Sequence, residues 1–146
     1  MKRILITLAA LSTLAGATAA AAQQDAWTQQ VRRYLQRAGS HFEEQGYTMT
    51  HRIYTGALND GGRERVQLDL DVGTDYQIIG ACDDDCTDLD LILYDGNGRE
   101  VDSDLLEDSF PIVSVTVVRS GAFSVEVSMA NCTAEPCRYG IGVFGR

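Results

Sequence analysis

Apolar residues recur with two different periods along the chain. From Asp25 to about Gln45 they are spaced three and four positions apart, with charged and amide side chains between them. The apolar positions are Trp27, Val31, Tyr34, Leu35, Ala38 and Phe42. This spacing predicts an amphipathic helix, with a break or restart at Gly39 because the S-x-x-E pattern that follows is typical of a helix start. The pattern favours packing of the apolar stripe on the rest of the chain over a partner-binding or membrane-surface role.

Beyond Gly46 the period becomes two, as in Leu89, Leu91 and Leu93, which alternate with Asp90, Ile92 and Tyr94. Such alternation predicts half-buried strands, and clusters of Gly, Asn and Asp mark the turns between them. About eight strands are predicted, near residues 47–57, 63–71, 74–81, 88–95, 98–103, 111–118, 122–129 and 137–144. Short strands at this spacing, without helical patterns between them, predict an antiparallel β-sandwich.

The first 22 residues have the features of an export signal. Met1-Lys2-Arg3 supplies positive charge, Ile4 to Leu14 is apolar, and the alanine-rich residues 17–22 offer A-x-A cleavage sites. We expect cleavage after Ala22, which leaves the helix in residues 23–46 and a sandwich domain in residues 47–146. The apolar run is shorter than the roughly 20 residues that span a bilayer, so we expect no transmembrane segment after cleavage and a periplasmic or secreted protein.

Export would place all four cysteines in an oxidising compartment, where an even number predicts two disulfides. Three pairings are possible, and the local pairs Cys82–Cys86 and Cys132–Cys137 are favoured because each brackets a short loop between strand-like runs. The alternative is a zinc site with four thiolates, but neither spacing is the common C-x2-C.

The charge balance is strongly acidic. The chain has 12 Lys and Arg against 21 Asp and Glu, and removal of the signal would also remove Lys2 and Arg3. A sequence-independent nucleic-acid binder needs a dense basic surface, so nucleic acid is not an expected partner.

A family resemblance rests on residues 87–95, T-D-L-D-L-I-L-Y-D, on Gly98, and on residues 121–127, G-A-F-S-V-E-V. The pattern D-x-D-L-x-L-Y-D, then Gly, then G-x-[YF]-x-V-x-V resembles the bacterial pre-peptidase C-terminal (PPC) domain over residues 50–146. The resemblance implies a jelly-roll-like β-sandwich without catalytic activity, of the kind appended to secreted peptidases. It also implies a role in secretion, substrate contact or calcium-stabilised binding. The cysteine pairs resemble those of a free-standing, disulfide-bearing exported form.

Eleven acidic residues lie between Asp83 and Asp108. Calcium prefers six to eight oxygen ligands in loops, and a loop clamped by Cys82 and Cys86 would bring carboxylates together. The candidate calcium ligands are Asp83, Asp84, Asp85, Asp88 and Asp90. The competing interpretation is a solvated acidic face that maintains solubility. For Asp88 and Asp90, hydrogen bonding to loop amides is a further alternative.

Catalytic motifs are sparse. His41 lies in the predicted helix and His51 in the first strand, and neither has a local nucleophile arrangement; G-x-S-x-G and H-E-x-x-H do not occur. The sequence therefore predicts a non-catalytic binding or interaction module for a protein or glycan of the cell envelope. The alternatives are a small hydrolase that uses acidic residues, and an envelope structural protein that oligomerises through its helix.

Overall fold

The structure is a computed structural model that describes residues 15–119 and 121–146, with helix side chains from residue 26 onwards. The described chain is mostly β, with one helix, α1 (Ala15–Glu44), and nine strands. The strands are β1 (Thr48–Met49), β2 (Tyr54–Leu58), β3 (Arg63–Leu70), β4 (Asp75–Cys82), β5 (Cys86–Tyr94), β6 (Glu100–Asp104), β7 (Ile112–Thr116), β8 (Gly121–Cys132) and β9 (Cys137–Gly145). The predicted β-rich class with a leading helix is confirmed.

All strand pairs are antiparallel and form two sheets. The first sheet has the order β2-β9-β4-β7, and β1 pairs with the far end of β9. The second sheet has the order β3-β8-β5-β6. The leucines and valines that alternate along β5 and β8 are fully buried between the sheets, so the two sheets share one core as in a β-sandwich.

The predicted strand over residues 47–57 is wrong as a single element, because it is split into β1 and β2. Met49 pairs with Phe144 and Tyr54 pairs with Ile141, so four residues on one strand face two on β9. The two extra residues cannot remain in the ladder. The Thr50 amide still donates to the Val143 carbonyl at 3.0 Å, which holds the bulged segment against β9.

The helix is longer than predicted and has no break at Gly39. Ser40 lies within it, and its hydroxyl donates to the Gln36 carbonyl one turn earlier rather than capping a new helix. Gly39 lies close to the Phe144 ring: a Cβ at position 39 would lie 3.1 Å from the ring, which would then have to shift by a few tenths of an ångström. The charged and apolar regions of the predicted export signal, residues 1–14, lie outside the described residues. No described helix is long and apolar enough to cross a membrane.

The apolar stripe of α1 packs on the outer face of the first sheet. Val31 and Leu35 are fully buried, and Phe42 stacks on Phe144 with ring centroids 4.9 Å apart. Gly140 permits this close approach, since a Cβ there would lie 2.8 Å from the Val31 side chain. The stripe that an oligomerising helix would need is therefore buried within the same chain.

Candidate functional site

The loop between β4 and β5 joins the sandwich to the helix. Both predicted disulfides, Cys82–Cys86 and Cys132–Cys137, are confirmed, which excludes the zinc alternative for these four cysteines and is consistent with an oxidising compartment outside the cytoplasm. In the clamped loop, Asp84 accepts hydrogen bonds from the Tyr34 hydroxyl and the Gln30 amide, both at 2.7 Å. These bonds lower the pKa of Asp84, the Tyr34 bond most. One predicted calcium ligand thus ties the loop to α1.

Asp83, the next predicted ligand, is a buried carboxyl group that is only partly satisfied. Its side chain is 2% exposed, and its Oδ2 accepts the Arg138 amide at 2.7 Å. Its Oδ1 is buried without a hydrogen-bond partner. Burial raises the pKa of Asp83 from its ordinary value of 3.8, because desolvation disfavours the charged form. The third aspartate of the loop, Asp85, is half-buried.

We expect Asp83→Asn to stabilise the protein at pH 7 by about 1 kcal/mol, since it removes a buried charge and keeps an acceptor for the Arg138 amide. A carboxyl group with a raised folded pKa destabilises the native state above that pKa and no longer does so below pH 3.8. The gain should therefore shrink as the pH falls and vanish in acid. Chemical unfolding from pH 3 to 7 measures it, with Asp71→Asn, at an exposed acid on the β3–β4 turn, as the control. An equal gain at every pH would show that the charge of Asp83 is not its cause.

Asp88 and Asp90 lie in β5, just after the clamped loop, and flank the buried Leu89. Burial raises the pKa of both, and neighbouring carboxylates raise it further: Glu107 and Asp108 act on Asp88, and Asp88 acts on Asp90. The Asp88 Oδ1 is buried without a partner. Within residues 15–119 and 121–146, no three His, Cys, Asp or Glu side chains are placed together to hold a metal ion. The five predicted ligands are thus not brought together as a metal site, and calcium stays a prediction.

Other carboxylates of the acidic segment satisfy backbone amides instead of forming a uniformly solvated face. Asp102 accepts the Ser114 amide at 2.7 Å, and Asp104 accepts the Ile112 amide at 2.9 Å. Both bonds run from β6, the edge of one sheet, to β7, the edge of the other. The two edge strands are therefore bridged by side chains rather than by a backbone ladder.

The two histidines do not form an evident catalytic group. His41 lies in the last turn of α1. The His51 ring lies between the Thr50 hydroxyl, at 2.8 Å from Nδ1, and the Asp69 carbonyl, at 3.0 Å from Nε2. The Asp69 carbonyl can only accept, so the His51 Nε2 donates to it. In the neutral ring, Nδ1 then accepts from the Thr50 hydroxyl. The single proton of that hydroxyl is shared with the Val143 carbonyl, which lies 3.2 Å from the Thr50 oxygen. This contact, which the sequence analysis missed, fits a structural brace of the bulged segment.

A groove of about 800 Å³ opens where the β6 and β7 edges separate. It lies between the β5–β6 turn and the β7–β8 turn, and its apolar lining includes Val115, Val117 and Phe123. Val117 and Phe123 belong to the sandwich core and are almost fully buried, so the groove lies against one end of that core. Two further lining side chains are conspicuously exposed: Val101 by 41% and Val118 by 80%.

One wall of the groove carries charge. The Arg99 amide donates to the Asp95 carboxylate at 3.0 Å, and the Arg99 guanidinium donates to it through two nitrogens, at 2.9 and 2.7 Å; these bonds lower the pKa of Asp95, the backbone bond most. The Asp95–Arg99 pair closes the β5–β6 turn, and Arg119 lies on the opposite turn. The groove thus combines apolar side chains with charged side chains on both turns, a combination typical of ligand sites.

Sequence reasoning missed the groove because turn residues from distant parts of the chain form it. One signal was present: the period-two pattern places Val118 on the outward side with Ser114 and Thr116, where a polar residue is expected. No protein-family model matches the chain and no curated protein matches it, so its function has to be argued from this geometry.

Proposed function

We propose that this chain is an exported, non-catalytic β-sandwich module that binds a protein or glycan of the cell envelope in the groove between the β5–β6 and β7–β8 turns. The observation that carries the proposal is that two exposed apolar side chains, Val118 at 80% and Val101 at 41%, line a groove that lies against the sandwich core. Exposed apolar surface beside a concavity is typical of a ligand site. The outer face of the first sheet is not free for a ligand, because α1 covers it.

The PPC-like, jelly-roll-like interpretation of the fold is part of the proposal. It is supported by the strand orders β2-β9-β4-β7 and β3-β8-β5-β6, in which sequentially distant strands alternate as in two Greek keys. It is also supported by the pairing of the two motif segments, since β5 and β8 are neighbours with Leu91 opposite Val127. An exported form, periplasmic or secreted, agrees with both disulfides.

Calcium enters the proposal as a stabilising ion at Asp88, whose buried Oδ1 has no hydrogen-bond partner. We expect millimolar calcium, but not magnesium, to raise the melting temperature relative to EDTA. A ligand at about 100 times its Kd adds about 2.7 kcal/mol. Asp88→Asn should abolish that increment, while Asp71→Asn, at an exposed acid on the β3–β4 turn, should leave it intact. Equal melting temperatures of the wild type in calcium and EDTA would remove calcium from the proposal.

Site-specific photo-crosslinking tests the groove as the binding site. A photoreactive amino acid in place of Val118 should form a discrete adduct in a native envelope, and the same group in place of Leu106 should not. Leu106 is a suitable control because it is 69% exposed and lies in the β6–β7 loop. Adducts from position 106 alone, or equal adducts from both positions, would contradict the assignment to the groove.

A further inference from the structure

The backbone of β7 has one edge that faces away from its own sheet. The Val117 amide donates to the Thr74 carbonyl at 3.0 Å, and the Val117 carbonyl accepts the Gly73 amide at 2.7 Å. Backbone groups in an antiparallel pair alternate between the partner strand and the opposite side. Since Val117 bonds towards β4, the backbone groups of Thr116 and Ser114 point away from it, towards β6 and the groove.

The successive outward positions of β7 are Ile112, Ser114 and Thr116, and carboxylates of β6 bind the backbone at the first two. Asp104 accepts the Ile112 amide and Asp102 accepts the Ser114 amide. The series stops before Thr116 because β6 is irregular there: Asp102 pairs with Leu93 and Glu100 pairs with Tyr94, which leaves Val101 as an extra residue.

Two observations indicate that the outward amide and carbonyl of Thr116 are open towards the groove. Glu100, the next carboxylate along β6, accepts the Ser103 hydroxyl at 2.8 Å instead of reaching β7. Thr116 itself lines the groove and is exposed. An amide and a carbonyl at a strand edge match the main chain of another extended strand, as in peptide recognition by strand addition.

From this geometry we infer that the groove binds an extended peptide segment of a partner protein, which adds to the edge of β7 by pairing with Thr116. The inference rests on the proposed function and narrows its ligand class to peptide. Side chains of an added strand alternate, so the one that faces inward meets Val115, Val117 and Phe123 and should be apolar. The side chains of Val115, Val117 and Phe123 offer no hydrogen-bond partner to the hydroxyl groups of a glycan, so this part of the groove favours an apolar side chain.

Selection from a displayed library of short random peptides, followed by affinity measurement, tests the inference. Thr116→Pro removes the outward amide, and Thr116→Ala keeps it; both lose the hydroxyl bond to Asp75, so they form a matched pair. We expect extended, apolar-centred peptides to bind the wild type and the alanine variant alike, and the proline variant at least about tenfold more weakly, the loss expected for a main-chain hydrogen bond.

A second variant covers the case in which proline disturbs the fold. Val101→Glu changes only the exposed rim of the groove and should also weaken peptide binding by about tenfold or more, because it places a charge beside the peptide's apolar side chain. Peptides that bind all variants equally would overturn the inference. If no peptide binds while an envelope glycan crosslinks at position 118, the inference fails and the proposed function stands. If neither binds, both fail.

Discussion

Phe144→Ala is expected to cost about 3–5 kcal/mol of unfolding free energy, the largest effect of any change considered for this protein. The ring is fully buried, stacks on Phe42 and fills the space left by Gly39, so its removal opens a cavity between α1 and the first sheet. Denaturant unfolding measures the loss. Trp27, the only tryptophan and a residue of α1, should change its emission before the global transition if the helix separates first.

Phe110→Ala is the matched control for this measurement. The Phe110 ring is 45% exposed and makes one edge contact with Tyr34 at 5.6 Å, so truncation should cost only about 1 kcal/mol. Equal losses for the two variants would contradict the docking of α1 on the first sheet through Phe144.

Asp102→Ala is expected to cost about 2 kcal/mol and to promote self-association. Its carboxylate accepts the Ser114 amide and hydroxyl and the Ser103 amide, and bonds to a charged acceptor are stronger than neutral ones. Removal of the carboxylate also frees the Ser114 amide on a strand edge, which is a template for pairing between molecules. Unfolding and light scattering at increasing protein concentration measure the two effects.

Two further variants distinguish the loss of the hydrogen-bond acceptor at the strand edge from the general loss of a negative charge. Asp102→Asn keeps an acceptor and should recover part of the stability and most of the monomer, whereas Asp71→Ala removes an exposed acid and should leave the protein almost unchanged. If Asp102→Ala remained monomeric and as stable as Asp71→Ala, the carboxylate would not be what closes the edge.

The features that could be predicted from the sequence are those fixed by local pattern. Alternation along β5 and β8 is strong because one side of each strand faces the core, and both disulfides join strand ends only four and five residues apart. The helix was predicted by its apolar stripe. Its continuity through Gly39 was not, because the contact of Gly39 with Phe144, more than a hundred residues away, is not visible in the local pattern.

The roles of the acidic residues could not be assigned from the sequence, for a related reason. A run of carboxylates looks alike in sequence whether it binds calcium, faces solvent or accepts backbone amides. Asp84 accepts a hydrogen bond from Tyr34 on the helix, and Asp102 and Asp104 accept hydrogen bonds from backbone amides of β7. Each of these partners is distant in sequence or is positioned by the tertiary fold. The groove follows from the same arrangement, since it opens where those carboxylates end.

Amide hydrogen exchange along β7 in the free protein tests the open strand edge most directly. An open edge at Thr116 predicts that the Thr116 amide exchanges nearly as fast as in an unfolded chain. Asp102 and Asp104 hold the Ser114 and Ile112 amides, which should exchange at least about tenfold more slowly. Equal protection of Thr116 and Ser114 would contradict it, because the edge that the groove offers to a partner would then be closed within the protein itself.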